Sequence, residues 1–272
     1  MGEASHVVYE LDGPMAVIRI DRAEKLNAFT FAMINAIRAA VDKAVADKSV
    51  VAIVVTGTGR AFSAGLDAED LARSTQDGPP ARPSRADPEA ELPALFSYLL
   101  RVPKPVIAAV NGVCAGGGLV LAMMSDLRFV ASSASFTTVF SRRGLIAEHG
   151  TSWLLPRMIG TTRALDLLWS SRRFDATEAL RLGFADRVAP DDRLLADIRR
   201  YVEDLAASVS PQSLATMKAQ VYEGLSLTFE EAVWDADARM RVSLDHPDAR
   251  EGVASFTERR PPRFLPWSAG GS

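Results

Sequence analysis

Cysteine is nearly absent from this 272-residue chain. Cys114 stands alone, so no internal disulfide framework can form and no cysteine-rich metal site can be built, which fits a reducing compartment. It lies inside a glycine stretch with no histidine local to it, and reads as a small buried hydrophobe. Neither sign of charge predominates. The chain has 31 basic and 34 acidic residues, a net charge of −3, which gives no electrostatic basis for a nucleic-acid or membrane-surface partner. The opening Met1-Gly-Glu-Ala-Ser-His6 contains neither a basic nor an apolar segment, so no secretory signal is visible and a cytoplasmic protein is expected. No repeat of fixed period is found. Apolar side chains are what the chain has in quantity: 48% hydrophobic against 24% charged residues is enough for a sizeable core under an ordinary solvated surface.

The pattern of those residues predicts an α/β fold organised around residues 105–126. Val106 to Val110 reads as a buried strand, broken at Asn111-Gly112. Gly116-Gly-Gly118 then opens a second apolar run, Leu119 to Met124, of helix-forming composition. A membrane span over the same residues is disfavoured by four glycines and an asparagine at its middle. Upstream, Val7–Leu11 and Met15–Ile20 flank Asp12-Gly13 as a β-hairpin, and Met33, Ile34, Ile37, Val41 and Val45 recur at helical spacing. Val50 to Val55 reads as a second buried strand. Residues 72–92 are rich in Pro, Gly, Ser and charge and read as a mobile excursion, with a short helix from about Leu92 to Arg101 bringing the chain back. Leu127 to Ala131 is a further strand. Capped helices follow, with Thr161 or Thr162, Asp175 and Ser210 as N-caps. The expected organisation is a core over 1–200 and a helical region over 201–272.

Three chemistries compete for the loops. Gly57-Thr-Gly59 after a strand suggests a dinucleotide fingerprint, but Phe62 stands where the third glycine belongs and no apolar helix follows. Ala61-Phe-Ser63-Ala-Gly65 approaches the nucleophile elbow of a serine hydrolase, with His149 downstream. That elbow needs a helix immediately after the serine, and Leu66-Asp-Ala-Glu-Asp70 leads toward the Pro-rich loop instead. The third reading pairs the glycine turns at Gly65-Leu66 and Gly116-Gly117. Two backbone N–H groups converging on one point would form an oxyanion hole for a carbonyl compound.

Together these segments resemble the crotonase (enoyl-CoA hydratase/isomerase) superfamily. The matching stretches are Lys25-Leu-Asn-Ala28, Gly59-Arg-Ala-Phe-Ser-Ala-Gly-Leu-Asp67, Lys104-Pro-Val-Ile-Ala-Ala-Val-Asn-Gly112 running into Gly116-Gly-Gly118, Ser152-Trp-Leu-Leu-Pro-Arg157, and Glu251 to Phe264. They run in the family's order over nearly the whole chain. The resemblance implies a spiral of ββα turns forming two sheets, with C-terminal helices that assemble trimers or dimers of trimers. It implies an acyl-CoA substrate and no separate cofactor or metal, coenzyme A being part of the substrate. The family's two oxyanion donors fall on the N–H groups of Leu66 and Gly117. Coenzyme A would run along Lys25–Ala28 and Ala64–Asp67, with Gly65 and Gly116 at the turns. The two glutamates that hydratases of this family carry fall on Val120 and Phe140, neither of which can move a proton. Glu148 aligns close to an additional catalytic aspartate of dienoyl-CoA isomerase relatives. It is expected to act as acid/base in an apolar pocket, with His149 orienting it or its loop; the alternative for Glu148 is a loop ion pair with Arg142 or Arg143. A single carboxylate suits double-bond isomerisation better than hydration, which needs a water held between two acids. A non-catalytic acyl-CoA-binding relative and, outside the family, a serine hydrolase using Ser63 are the rival readings.

Overall fold

Near-continuous apolar residues along the strands Met15–Ile20 and Ala52–Gly57 set the frame, since both strands are buried on two faces. The computed structural model describes residues 6–76 and 94–268. Strands β1 (Val7–Asp12) and β2 (Met15–Ile20) form the expected hairpin, and α1 (Phe31–Ala46) follows, its N-terminus capped by the Thr30 side chain accepting the Met33 N–H. Then come three units that each give one strand to either of two sheets. These are β3 (Ala52–Gly57) with β4 (Ala61–Ser63), β5 (Val106–Val110) with β6 (Val113–Ala115), and β7 (Leu127–Ala131) with β8 (Ser135–Thr137). Helix α2 (Ala68–Gln76) follows the first unit and α3 (Gly117–Met124) the second.

The remaining elements are α4 (Thr151–Ile159), α5 (Thr161–Ser170), β9 (Phe174–Asp175), α6 (Ala176–Leu182), β10 (Arg187–Ala189), α7 (Leu194–Ser208), α8 (Pro211–Gly224), α9 (Phe229–Asp245) and α10 (Pro247–Glu258). The large sheet has the order β1-β2-β3-β5-β7-β10 and the small one β4-β6-β8-β9. Apart from the opening hairpin, the large sheet is parallel, and it is buried on both faces. Along β3, Ile53 and Val55 join the cluster packed with Ile37 and Val41 of α1. Ala52 and Val54 join the opposite cluster, covered by Leu194, Ile198 and Val202 of α7. Helix α7 thus crosses residue 200 while packing on the sheet. The long apolar run from Val106 resolves into β5, β6 and α3, and no helix among the described residues is long and apolar enough to cross a membrane.

Three local expectations are corrected. The segment after Asp67 is helical, because Asp67 Oδ1 accepts the Glu69 N–H (2.9 Å) and starts α2, which runs through residues expected to be loop; the rest of that excursion, 77–93, lies outside the described residues. The returning helix is a 3-10 turn, Ser97–Arg101. Neither Thr161 nor Thr162 caps α5: Gly160 (φ 83°) ends α4 and begins α5, a turn at positive φ that only glycine makes without strain.

Candidate active site

Two loops and one helix start meet at the carboxyl ends of β4 and β6. Asn27 pins the first loop, donating to Ala61 O (2.7 Å) and Thr58 O (2.9 Å) while accepting the Arg22 N–H (2.9 Å). The loops 26–29 and 64–67 then run side by side. Ala64 N–H donates to Leu26 O (2.9 Å), Phe29 N–H to Gly65 O (2.7 Å) and Asp67 N–H to Phe29 O (2.8 Å). Arg22 ties them across, donating to Ala28 O (3.2 Å) and Asp67 Oδ2 (2.6 Å). The bonded Glu69 N–H, and then Arg22, hold the Asp67 carboxyl below its ordinary range. Lys25 is exposed beside these strands of backbone, and Ala28 and Ala64 are half-buried.

This parallel bridge of Phe29 with Leu66 uses the amides of Phe29 and Asp67, so the N–H of Leu66 faces away from it. Gly117 is the first residue of α3, where an N–H has no partner within the helix. Among the described residues neither N–H is taken by a backbone carbonyl outside the helices and strands. The two turns are in close contact. A Cβ on Gly65 (φ 95°) would lie 2.9 Å from both the Gly117 nitrogen and Ala115 O, which is why a residue without a side chain is required there. Leu66, Gly116 and Gly117 line one small cleft of about 40 Å³ together with Val139, Phe140, Arg143, Leu145, Glu148 and His149. The arrangement offers two amide donors, with the α3 macrodipole behind one of them, to a ligand oxygen that gains negative charge.

Glu148 lines the same cleft as the glycine turns. It stands at the cleft's edge with its side chain 38% exposed, rather than sealed in an apolar pocket. Its carboxylate faces His149 Nε2 at 3.6 Å, and among the described residues no ion pair joins it to Arg142 or Arg143. The Leu95 N–H donates to His149 Nδ1 (3.3 Å), which leaves the ring proton on Nε2, toward Glu148. Phe140 lines the cleft, whereas Val120 is fully buried in the apolar cluster around α3 and does not. Val139 holds φ at 54°, a left-handed conformation that a β-branched residue seldom adopts, and its methyl group abuts Gly116. Nothing in the sequence pattern marks Val139.

Ser63 is fully buried. Its hydroxyl donates to Asn27 O (2.8 Å) and accepts the Gly65 N–H (3.1 Å), so it fastens the Gly65 turn. Cys114 is likewise buried, and burial pushes its thiol far above the ordinary range. A second cavity of about 660 Å³ opens on the far side of His149, which borders both spaces; it lies between the 97–101 turn, the start of α4, and α8. No sequence pattern hinted at it.

Strands that alternate between two parallel-rich sheets, with helices between them, make this a crotonase fold. The Enoyl-CoA hydratase/isomerase family profile matches residues 10–266. A probable enoyl-CoA hydratase of Rhodobacter capsulatus is 37% identical over 94% of this chain and 96% of its own. The 1,2-epoxyphenylacetyl-CoA isomerase of Escherichia coli is 31% identical over 95% of this chain and 97% of its own. The crystal structure of an enoyl-CoA hydratase/isomerase from Mycobacterium paratuberculosis superposes with a TM-score of 0.86 at 29% identity, covering 96% of this chain and 99% of that one. The chain belongs to the enoyl-CoA hydratase/isomerase family of enzymes.

Proposed function

We propose that this enzyme shifts a double bond in an acyl-CoA thioester. The thioester oxygen sits against the N–H groups of Leu66 and Gly117. Glu148 removes a proton from the α- or γ-carbon, the electron pair moves onto the thioester oxygen as an enolate, and the proton returns to a different carbon. One base both takes and gives back the proton, so atoms balance without added water. The observation that carries this reading is that Glu148 is the one carboxylate, among the described residues, lining the cleft that holds both donors. Hydration calls for a water held between two acids, and Val120 and Phe140 occupy the places where the resemblance puts them. Coenzyme A runs along Lys25–Ala28 and Ala64–Asp67, whose backbones lie side by side.

The test is deuterium incorporation from heavy water into enoyl-CoA substrates of graded chain length, read by mass spectrometry. Incorporation at α or γ without net hydration is expected. Hydrated product alone would replace isomerisation by hydration, and binding with neither product would make the protein a non-catalytic acyl-CoA binder.

Ser63→Ala separates this chemistry from a serine hydrolase. The hydroxyl's two hydrogen bonds stabilise the turn, so the variant should lose about 1–3 kcal/mol of stability while keeping exchange within a few-fold (~3-fold) of wild type. A fluorophosphonate probe should leave the wild-type serine unlabelled; stoichiometric labelling at Ser63 would reverse the assignment.

We also propose a homo-oligomer, a trimer or a dimer of trimers, built through the C-terminal helices. Phe229, Trp234, Met240, Leu244, Val253 and Phe256 are all exposed on α9 and α10, large apolar side chains that a second copy would cover.

A further inference from the structure

Two residues of the cleft other than glycine hold a positive φ, Val139 at 54° and His149 at 55°. Histidine visits that region fairly readily, but a β-branched residue there is an outlier and persists only where its surroundings impose it. At Val139 they do. The hydroxyl of Thr138, itself buried, donates to Leu167 O in α5 (2.9 Å), and that of Ser141 donates to Trp169 O (2.9 Å). The Ser171 hydroxyl, just past the end of α5, lies 3.2 Å from Thr138 Oγ1 and 2.8 Å from Ser141 Oγ. Thr137 donates to Ser171 O (3.0 Å). These bonds tie residues 137, 138 and 141 to the last turn of α5, and Val139 takes up the bend between them.

The bend produces a contact at the glycine turns. Val139 Cγ2 would lie 3.2 Å from a Cβ on Gly116, so it occupies the space that a side chain there would take. The Gly65 Cα would lie 4.0 Å from the same Cβ, so the Gly116 turn is flanked by Val139 and by Gly65. The Gly116 backbone, at φ 50° and ψ −119°, is in a region open to glycine, and glycine is equally free to leave it. Its N–H is held only by a 3.2 Å bond to Thr137 O. The methyl group of Val139 supplies the stop that this turn lacks.

We infer that Val139 is a positioning residue: it presses the Gly116–Gly117 turn toward the Gly65–Leu66 turn and so sets the spacing of the two amide donors. This rests on the oxyanion reading above and adds the side chain that fixes its geometry.

The experiment binds a saturated acyl-CoA, carrying carbon-13 at the thioester carbonyl, to the full-length protein and reads the carbonyl stretch by infrared difference spectroscopy. Hydrogen bonds to the oxygen lower that frequency, so wild type should show a downward shift from the free thioester. Val139→Gly removes the stop. Displacing one of two donors should remove about half of the shift and slow heavy-water exchange about tenfold. The thermal midpoint should stay within about 4 °C of wild type, because glycine takes a positive φ without strain. Val139→Ala should lose the same part of the shift with a midpoint below that of Val139→Gly, since alanine keeps the unfavourable φ. Val139→Thr retains a branch at Cβ against Gly116 and should rescue both readouts. A full wild-type shift and exchange rate in Val139→Gly and Val139→Ala would overturn the inference while leaving the two donors in place. A loss in Val139→Thr equal to that in Val139→Gly would overturn it too. No shift in wild type, or no binding of the thioester, would remove the oxyanion reading and this inference together.

Discussion

A Glu148→Gln enzyme should bind acyl-CoA and leave the hydrogens on the substrate's carbon chain in place. The amide keeps the size of the carboxylate and can still accept from the nearby imidazole, but it cannot take a proton. Loss of a positioned general base costs ~10²–10⁴ in rate. The fall should appear in kcat with little change in the affinity for a saturated acyl-CoA, since Glu148 stands at the cleft edge rather than under the thioester donors. Heavy-water exchange followed by mass spectrometry measures it directly. Exchange at the wild-type rate in Glu148→Gln would assign the base to another group. His149 is the neighbour to test next, since it lines the same cleft and its Nε2 faces the carboxylate.

Gly117→Pro should slow the same exchange by ~10²–10³, the usual cost of losing one oxyanion donor. The site suits the substitution. Gly117 is the first residue of α3, where proline's fixed φ is compatible with the helix and its missing N–H breaks no helical bond. A Cβ there would meet Gly65, Leu66 and Phe29 at 3.5–3.6 Å, ordinary contact distance. Gly117→Ala, which keeps the N–H and adds the same carbon, is therefore the control and should retain most of the activity. If folded Gly117→Pro, checked by circular dichroism, exchanges as fast as Gly117→Ala, the thioester oxygen is held elsewhere.

How much of this was legible in the sequence follows from what each feature is made of. Strand β5 was read to the residue because its five side chains are all apolar and its end is marked by Asn111-Gly112. The glycine turns were legible as a pair because a missing side chain is itself a signal: Gly65 and Gly118 let two backbones approach more closely than any Cβ would permit. The short strands β4, β6, β8 and β9 were not, since runs of two or three residues are too brief for periodicity and are fixed by pairing across the fold. Helix α2 was hidden by the Pro-rich composition just beyond it, although Asp67-Ala-Glu-Asp70 is an acidic helix start. Glu148 was found only through resemblance, because a lone loop glutamate carries no pattern. The Lys218–Asp126–Tyr222 group could not be read at all: Lys218 and Tyr222 lie 92 and 96 residues from Asp126 along the chain and meet it only when α8 packs near the start of β5.

The donors at Leu66 and Gly117 belong to the main chain, so drift in side chains leaves the electrostatic part of the site standing. The acids enjoy no such protection. Val120 is fully enclosed and Phe140 nearly so, both within one apolar cluster, and each is part of what holds the fold together. Burying such a side chain contributes about 1.5–3 kcal/mol, and a carboxylate in its place would forfeit that and pay for desolvation as well. On the isomerase reading proposed above, the absence of those two acids works as a ratchet. A lineage that starts from this protein must first open space and water around α3 before a glutamate at residue 120 is tolerable, and neither change is useful without the other.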